Sequence, residues 1–470
     1  MISRPSRSLP LSLKKKRVLL VGLGLHGGGV GTTKWLVSQG AQIRVTDTKN
    51  AVELAPSLAQ LPKKNIVLHL GGYQAADFRW ADVIVLNPAV NPQAPDMQRL
   101  IPKNTPIENE LTLFLARCPA PTIGITGTRG KTTTTLLVTH ILKTAGKKVI
   151  ASGNVRQEPM LSILPRITAK HIVVLELSSF QLELLPRIAQ SPQVAVMTNL
   201  SVDHLPRHGT MRVYQQTKAN IFRFQSATDT AILNAENAWT RSLITQVPGS
   251  VLTFSTAKHS GQHSFSIERG WVTERQGKKA TRILPVVSIP LPGVHQVQNV
   301  LAAVAVARSR GLTPGQIARG VKAFRGVDHR QEVVRTWRGH TFINDTAATS
   351  PEGALAALRV FPQGLFIMGG TDKQLDFRDL AKHLVKRRVP LVFLPGSATE
   401  RLLVQLKKNG WKQRPHIADS MEGAVHEALR RAKPKQSIIL SPGAASFGLF
   451  LHEFDRGEKF IRVVKHLGTS

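Results

Sequence analysis

Short apolar runs alternate with longer segments of helical periodicity along most of the chain. In the first hundred residues these runs are VLLVGLGL, IRVTD, NIVLHL and DVIVLNP, and helix-forming stretches separate them. Later runs of the same kind are TIGITG, HIVVLELSS, HTFIND, LFIMGG, LVFLPG and SIILSP. Continuous apolar strands separated by helices are typical of parallel sheets that are covered on both faces. The pattern therefore predicts the α/β class.

Two breaks in this pattern divide the chain into three doubly wound α/β domains. A proline-punctuated linker, ARCPAP at 116–121, separates the first series of strands from the second, and GVDH at 326–329 begins the third. We predict a basic tail followed by an N-terminal, a central and a C-terminal domain. Their predicted bounds are 1–17, 18–118, 119–326 and 327–470.

A glycine-rich turn follows the first predicted strand. Gly22, Gly24 and Gly27 form a G-x-G-x-x-G pattern, and Asp47 ends the next strand 20 residues after Gly27. Glycines allow backbone N–H groups to approach a pyrophosphate at a helix N-terminus, and an acidic residue at this distance can bind a ribose or base. The pattern alone fits an NAD-dependent oxidoreductase, or a closely packed β–α turn that binds no ligand.

A second glycine-rich turn lies between the predicted strand TIGIT and the helix TTTLLVTHILKTAG. Gly130, Lys131 and Thr132 supply exposed N–H groups, a lysine for terminal phosphates and a hydroxyl for magnesium. The strict pattern G-x-x-x-x-G-K-[ST] is not met, because Ile125 occupies its first position. Strand, glycine turn and helix nevertheless occur in the required order, so we predict a nucleotide-binding loop.

The charge of the chain points to a different class of partner. Its 470 residues include 63 Lys and Arg against 29 Asp and Glu, for a formal net charge of +34. Such an excess is typical of proteins that bind nucleic acid, anionic membranes or phosphorylated ligands. Only 5% of the residues are aromatic, with 2 Tyr, so stacking platforms for bases are not evident. A nucleic-acid-binding P-loop ATPase stays open as an alternative on charge alone.

Cysteine content and hydropathy constrain the cellular compartment. Cys118 is the single cysteine, which excludes an intrachain disulfide and fits a reducing cytoplasm. No apolar run approaches about 18 residues, so we predict no membrane insertion. Residues 1–17 are basic and contain no acidic residue, and we interpret them as a short disordered tail rather than a transit peptide.

Several motifs, in order along the chain, resemble those of the Mur ligase family. They are GITGTRGKTT at 124–133, ELSSFQLE at 176–183, NLSVDH at 199–204, GGTDK at 369–373 and SPGAAS at 441–446. The FQLE continuation resembles the branch that adds D-glutamate. The resemblance implies ATP-dependent ligation of D-glutamate to UDP-N-acetylmuramoyl-L-alanine through an acyl phosphate, with ATP and Mg²⁺ as cofactors. It also implies a Rossmann-like N-terminal domain that binds UDP instead of NAD, a central P-loop ATPase domain and a Rossmann-like C-terminal domain. The implied enzyme belongs to cytoplasmic peptidoglycan precursor synthesis, and we expect a monomer.

The resemblance implies roles for individual residues. Those expected at ATP are Gly127, Thr128, Arg129, Gly130, Lys131, Thr132, Thr133, Asn299, Arg330 and Asp345. Those expected at the UDP-linked substrate are Gly22, Gly24, Gly27, Asp47, Thr48, Asn87 and Asn154. Those expected at D-glutamate are Thr349, Lys373 and Ser446. The catalytic set is Lys131, Glu176, His204 and Lys218, and Mg²⁺ is expected on Thr132, Glu176, His204 and a carbamylated Lys218.

Several positions depart from the family pattern, among them Arg129, where an asparagine is common, and the segment that begins at Asn154. His26 stands where a threonine is frequent, Gln296 where an asparagine is usual, and Ala347 where a lysine is common. A phosphate or acyl-phosphate contact is therefore expected to be missing at Ala347. The positive charge greatly exceeds what phosphate sites require. We predict that the basic surface binds polyanions in a salt-sensitive, sequence-independent manner.

Overall fold

The computed structural model describes residues 12–25, 27–155, 158–258, 261–291, 293–446 and 448–468. His26 and the first eleven residues of the predicted tail lie outside the described residues. The chain divides into two compact units, Met1–Pro290 with Val294–Phe324 and Leu291–Gly293 with Arg325–Ser470. The first unit contains two sheets and the second unit contains one.

The first sheet of the first unit has five parallel strands in the order β3-β2-β1-β4-β5. Its strands are β1 Arg17–Val21, β2 Gln42–Asp47, β3 Ile66–Leu70, β4 Val83–Leu86 and β5 Ile107–Glu108. The helices that connect or follow them are α1 Gly28–Ser38, α2 Ala55–Leu58, α3 Ala75–Trp80, α4 Pro95–Leu100 and α5 Glu110–Leu115. The strand order reverses at β1, which is where open α/β sheets bind their ligands.

The C-terminal part of the predicted basic tail is ordered, which corrects the expectation of disorder through residue 17. Leu13 is buried in the core, with 2% of its side chain exposed. The N–H of Lys15 donates to the carbonyl of Gly40 over 2.8 Å. Arg17 already belongs to β1, and its guanidinium binds the Asp82 carboxylate over 2.8 Å. One apolar residue and one ion pair thus fix a segment whose composition resembles that of a disordered tail.

The second sheet has nine strands in the order β14-β13-β12-β11-β10-β9-β6-β8-β7. Its strands are β6 Thr122–Thr126, β7 Val149–Gly153, β8 Ile172–Glu176, β9 Val194–Met197, β10 Thr230–Asn234, β11 Ser250–Ser255, β12 His263–Glu268, β13 Trp271–Gln276 and β14 Lys279–Pro285. The helices of this region are α6 Lys131–Thr144, α7 Met160–Ile163, α8 Ser179–Leu182, α9 Leu185–Ile188, α10 Leu205–His208, α11 Met211–Arg223, α12 Ala238–Arg241, α13 Val294–Ser309 and α14 Pro314–Ala323. The pairings are parallel except for those of β13 with β12 and with β14, so β13 runs in the opposite direction to the other strands.

The second unit contains a five-stranded sheet in the order β15-β16-β19-β17-β18. Its strands are β15 Glu332–Trp337, β16 His340–Asn344, β17 Leu365–Gly369, β18 Leu391–Leu394 and β19 Ile438–Leu440, and only the pairing of β15 with β16 is antiparallel. The helices are α15 Pro351–Val360, α16 Arg378–Lys386, α17 Ser397–Lys408, α18 Met421–Arg431 and α19 Glu453–His466. Helices α15, α16 and α17 share one core cluster with the sheet, and α18 and α19 share another. Helices therefore cover both faces of the sheet, as the apolar strands predicted.

These sheets confirm the predicted α/β class. In the first unit, one continuous core contains buried residues of both sheets, including Val18 from β1 and Val173 from β8. No helix in the described ranges is long and apolar enough to cross a membrane.

Candidate functional site

The second glycine-rich turn forms a tight loop between β6 and α6. Gly127 and Gly130 have φ values of 148° and 81°, which favour glycine. A Cβ atom at Gly127 would overlap Oγ1 of Thr198, and one at Gly130 would overlap Oδ1 of Asn299. Glycine is therefore required at both positions by backbone conformation and by a close neighbour. The loop leads directly into the N-terminus of α6, where free N–H groups favour an anion.

Residues at the end of β9 hold this loop in place. The Thr198 hydroxyl donates to the carbonyl of Arg129 over 2.6 Å, and the Asn199 amide donates to the same carbonyl over 3.0 Å. In return, the N–H of Arg129 donates to Oδ1 of Asn199 over 3.0 Å. The N–H of Thr128 donates to the carbonyl of Asn199 over 2.8 Å. The Arg129 side chain itself is exposed, so its predicted role at ATP stays a prediction.

Two lysines converge on the backbone of the loop. The Lys131 ammonium donates to the carbonyls of Gly127 and Thr128 over 3.1 and 3.0 Å. The Lys218 ammonium donates to the same Gly127 carbonyl over 2.9 Å and to the Thr126 hydroxyl over 3.2 Å. Lys218 is 1% exposed. Burial, reinforced by the charge of Lys131, lowers the pKa of Lys218 well below its usual value.

Glu176 ends strand β8, directly beside β6 in the sheet. Its carboxylate is 2% exposed. Oε1 accepts a hydrogen bond from the Asn154 amide over 3.1 Å, whereas the buried Oε2 has no partner among the described residues. An unpartnered buried carboxylate oxygen is unfavourable unless a cation or donor binds it. The residue therefore fits the predicted role as a metal ligand.

His204 lies in the loop before α10, with φ of 52°. Its ring packs 4.9 Å from the ring of Phe180, measured between centroids. Partial burial lowers the pKa of His204, against the effect of the Asp203 carboxylate, and the charges of Lys218 and Lys131 lower it further. The neutral imidazole is the form that binds a metal ion.

The described residues contain no group of three or more His, Cys, Asp and Glu side chains placed to hold a metal ion. The predicted set supplies only two such side chains, Glu176 and His204, together with the Thr132 hydroxyl. Thr132 occupies the first turn of α6 and is half-buried. Within the predicted set, a second charged oxygen ligand would have to come from a modified Lys218.

The remaining residues predicted at ATP fall in both units. In the first unit, Thr133 is buried in the first turn of α6. The Asn299 amide there accepts from Thr134 over 3.4 Å and donates to Gln296 over 2.9 Å. In the second unit, the exposed Arg330 lies near Asp345, and burial raises the pKa of Asp345 to about 7 against the effect of that arginine.

The first glycine-rich turn is organised by Asp47. The Asp47 carboxylate accepts the N–H groups of Leu23 and Gly24 over 2.8 and 3.1 Å. A Cβ atom at Gly22, whose φ is 90°, would lie 2.9 Å from Cβ of Asn87. Asp47 thus orients the loop after β1 and Asn87 borders it. Direct binding of a ribose or base by Asp47 stays a prediction.

The other residues predicted at the UDP-linked substrate have different surroundings. Gly24 and Gly27 have φ values of 63° and 83°, and Gly27 directly precedes α1. Thr48 is exposed and hydrogen-bonds the side chain of Tyr73. The exposed Asn154 belongs to the end of the second sheet, where it binds Glu176.

The residues predicted at D-glutamate lie on three loops at one edge of the sheet in the second unit. Thr349 follows β16, Lys373 follows β17 and Ser446 follows β19. The loops containing Ser446 and Lys373 are joined by paired backbone hydrogen bonds of 2.9 and 3.2 Å between Thr371 and Ala445. Lys373 is exposed, whereas Ser446 is 2% exposed and its hydroxyl has no partner among the described residues.

Sequence reasoning missed two groups that support these loops. The sequence does not indicate the role of Thr198, because its hydroxyl binds the backbone carbonyl of Arg129, and every residue has such a carbonyl. Arg456 is fully buried in α19, and its position in the helical pattern of the sequence indicates this burial. It precedes the buried Phe460 and Val464 by four and eight residues, so it lies on the apolar face of an amphipathic helix.

Comparisons with known proteins agree with this arrangement. Three family models match the chain: "Mur ligase MurD-like, N-terminal domain" at 16–108, "Mur ligase middle domain" at 125–307 and "Mur ligase, glutamate ligase domain" at 329–444. A relative named UDP-N-acetylmuramoylalanine–D-glutamate ligase, from Roseiflexus, is 41% identical, and the match covers 97% of this chain and 99% of the relative. The chain belongs to the Mur ligase family.

Other Mur ligases extend this comparison. The ligase of the same name from Desulfitobacterium hafniense is 36% identical over 97% of this chain and 98% of its own. Among solved structures, the UDP-N-acetylmuramate–alanine ligase of Thermotoga maritima has a TM-score of 0.57 at 20% identity, covering 96% of this chain and 100% of its own. MurF from Acinetobacter baumannii has a TM-score of 0.57 at 16% identity, covering 90% and 91%. These structures show the fold, and the three-domain expectation is confirmed.

Proposed function

We propose that this Mur ligase joins D-glutamate to UDP-N-acetylmuramoyl-L-alanine at the expense of ATP. The observation that carries the proposal is the 41% identity, over 97% of the chain, with a relative of that name. The glycine loop with Lys131 supports ATP as the cofactor. The relatives compared above give no such support to the alternative of a nucleic-acid-binding ATPase. The UDP group of the proposed substrate gives the first glycine loop a ligand, so NAD is not needed to explain that loop. Because the reaction consumes ATP, we propose that it takes place in the cytoplasm.

The proposed reaction has two steps. The substrate carboxylate attacks the γ-phosphorus of ATP, so that an acyl phosphate forms and ADP leaves. The amine of D-glutamate then attacks the acyl carbon, an amide bond forms, and phosphate and a proton leave. The chemistry requires mainly positioning and charge neutralisation. The N–H groups of the loop and Lys131 would bind the phosphates and reduce the repulsion between them and the attacking carboxylate.

The residues around Glu176 fit a magnesium ion. The buried Oε2 atom of Glu176 needs a donor or cation, and neutral His204 and the Thr132 hydroxyl offer further ligand atoms. Bound Mg²⁺ would supply positive charge to the phosphate oxygens. Independently of the ion, Asn154 orients the Glu176 carboxylate through its hydrogen bond.

We further propose that Lys218 is carbamylated. Its pKa is lowered by burial, so the neutral amine is populated and can add CO₂ with loss of one proton. The product is a carboxylate in place of an ammonium. Labelled CO₂ should give a carbamate signal by ¹³C NMR in the wild type and none in Lys218→Ala. A short carboxylic acid should restore activity to that variant, and an unaffected variant would contradict the proposal.

A steady-state assay tests the overall function. Phosphate release from ATP should require UDP-N-acetylmuramoyl-L-alanine and D-glutamate together. Turnover that needs no D-glutamate and is stimulated by nucleic acid would contradict the proposal. The same preparation should elute as a monomer in size-exclusion chromatography with light scattering, and a stable larger species would contradict our expectation of a monomer.

Basic side chains at one edge of the second unit support the predicted binding of polyanions. The first turns of its helices contain the acids Glu352, Asp379, Glu400, Glu422, Glu453 and Asp455. The last turns contain Arg359, Lys386, Lys407, Lys408, Arg430, Arg431 and Lys465, which we call the cationic edge. In a parallel α/β sheet, helix C-termini lie at the opposite edge from strand C-termini. The basic side chains therefore gather opposite the loops proposed for D-glutamate.

Heparin chromatography tests the cationic edge. Replacing Lys386, Lys407 and Lys408 together by glutamate should lower the salt concentration at elution more than replacing the exposed Lys143, Lys147 and Lys148 of the first unit. Equal shifts from the two triple variants would show that net charge alone is responsible. Failure of the wild type to bind heparin at low salt would refute polyanion binding.

A further inference from the structure

A fully buried arginine joins two of the loops proposed for D-glutamate. Arg456 is 0% exposed. Its Nε donates to the Thr346 hydroxyl over 3.0 Å, and one Nη donates to the Thr346 carbonyl over 3.0 Å. The other Nη donates to the carbonyls of Ala444 and Ala445 over 3.1 and 3.3 Å. Thr346 lies in the loop that follows β16 and contains Thr349, and Ala445 precedes Ser446.

The third loop is fastened to the same point. Thr371, two residues before Lys373, exchanges backbone hydrogen bonds with Ala445. Gly370 has a φ of 135°, and a Cβ atom there would lie 3.4 Å from an Nη atom of Arg456. The guanidinium is therefore at the junction of the three loops.

The charge of Arg456 has no compensating carboxylate in contact. In the described part of the chain, each hydrogen bond of its guanidinium ends on a neutral oxygen atom. Burial lowers the pKa of Arg456 to about 10, against the effect of the Glu453 carboxylate, so the side chain still carries its positive charge at neutral pH. A buried cation without a hydrogen-bonded carboxylate is unfavourable, and an anion that binds nearby reduces this cost.

A second observation at the same junction also points to an anion. The Ser446 hydroxyl is buried and has no hydrogen-bond partner among the described residues. A buried hydroxyl of this kind is unfavourable until a ligand group pairs with it. A carboxylate ligand can accept from the hydroxyl and lie in the field of the guanidinium.

We infer that Arg456 is a positioning residue for the amino-acid substrate, which orients Ser446 and supplies the buried positive charge that favours an acidic amino acid. The inference rests on the proposed function and deepens it. The guanidinium acts through the loops and through its field, because its described hydrogen bonds are all directed to the protein.

Replacement by lysine or methionine separates charge from hydrogen bonding. Arg456→Lys keeps the charge and loses part of the donor set, whereas Arg456→Met keeps much of the volume and loses both. We expect Arg456→Met to raise the KM for D-glutamate at least about tenfold, a difference of about 1.4 kcal/mol in binding free energy. The KM for the UDP-linked substrate should change by less than about twofold, since the residues predicted to bind it all lie in the first unit. Arg456→Lys should recover part of the loss.

Arg335→Lys provides a matched control. Arg335 also donates to backbone carbonyls of α19 and the residues after it, including Lys465 over 2.9 Å and Leu467 over 3.2 Å. Its replacement should lower the melting temperature without changing the KM for D-glutamate. If Arg335→Lys and Arg456→Lys raise this KM equally, the effect of Arg456 is merely structural and the inference fails.

Ser446→Ala keeps the inference testable if Arg456→Met does not fold. The replacement removes a hydroxyl without a described partner, so the melting temperature should stay the same or rise while the KM for D-glutamate rises. An unchanged KM in both Ser446→Ala and Arg456→Lys would overturn the inference. Wild-type phosphate release without any D-glutamate requirement would instead overturn the proposed function, so the two failures are distinguishable.

Discussion

Comparing Gly130→Ala with a control variant distinguishes the role of the second glycine loop in nucleotide binding from the effect of backbone strain alone. Gly130 has a φ of 81°, where an alanine costs about 1–2 kcal/mol. The added Cβ would lie 3.2 Å from Cγ of Asn299 and overlap its Oδ1. Asn299 would have to rotate and give up its bonds to Thr134 and Gln296, at about 1 kcal/mol each. We therefore expect a loss of about 3–4 kcal/mol in unfolding free energy.

Gly146→Ala is the matched control, because Gly146 follows the other end of the same helix. Its φ is 80°, and a Cβ there would meet no atom within 4 Å. It should lose only the strain energy of about 1–2 kcal/mol. Urea unfolding gives both energies, and a fluorescent ATP analogue gives affinity. Gly130→Ala should weaken nucleotide binding at least about tenfold and Gly146→Ala should not. Equal nucleotide affinities would refute the assignment of this loop to ATP.

Three further predictions concern buried polar groups of the first unit. Burial raises the pKa of Glu108 to about 7, so the stability it contributes below its unfolded pKa is lost as pH rises through 7. Glu108→Gln should therefore flatten the fall in unfolding free energy between pH 5 and 8, by up to about 3 kcal/mol, and an unchanged slope would contradict this. Asp47→Ala should raise the KM for the UDP-linked substrate at least about tenfold while the KM for ATP stays constant, because Asp47 binds two N–H groups of the first glycine loop. Thr198→Val removes the hydrogen bond to the Arg129 carbonyl and should raise the KM for ATP several-fold at a stability cost of about 1 kcal/mol; an equal rise in the KM for the UDP-linked substrate would argue against a local effect.

The predictable parts of the fold are those in which buried elements have a simple hydrophobic pattern in the sequence. Strands β1, β6 and β17 are almost entirely buried, and their sequences are accordingly continuous apolar runs. Glycines after two of these strands mark tight loops, because the chain must turn directly into a helix. Parallel pairing then brings the ends of β16, β17 and β19 to one edge, which explains how distant motifs meet.

Other features depend on contacts that no local pattern reports. The hairpin of β13 and β14 has charged residues along much of its length, so its strand signal is weak. Leu13 is a single apolar residue in a basic segment, and only the folded core shows that it is buried. Asp47 was predicted from its spacing to the glycines, but its bonds to the loop N–H groups appear only in three dimensions.

Transfer of oxygen from the UDP-linked substrate to phosphate tests the central claim most directly. UDP-N-acetylmuramoyl-L-alanine labelled with ¹⁸O in its carboxylate is incubated with ATP, Mg²⁺ and D-glutamate, and the released phosphate is analysed by mass spectrometry. With both carboxylate oxygens labelled, we expect one ¹⁸O atom in each phosphate, together with a new amide product that contains D-glutamate. Unlabelled phosphate, or labelled phosphate without the amide product, would contradict it.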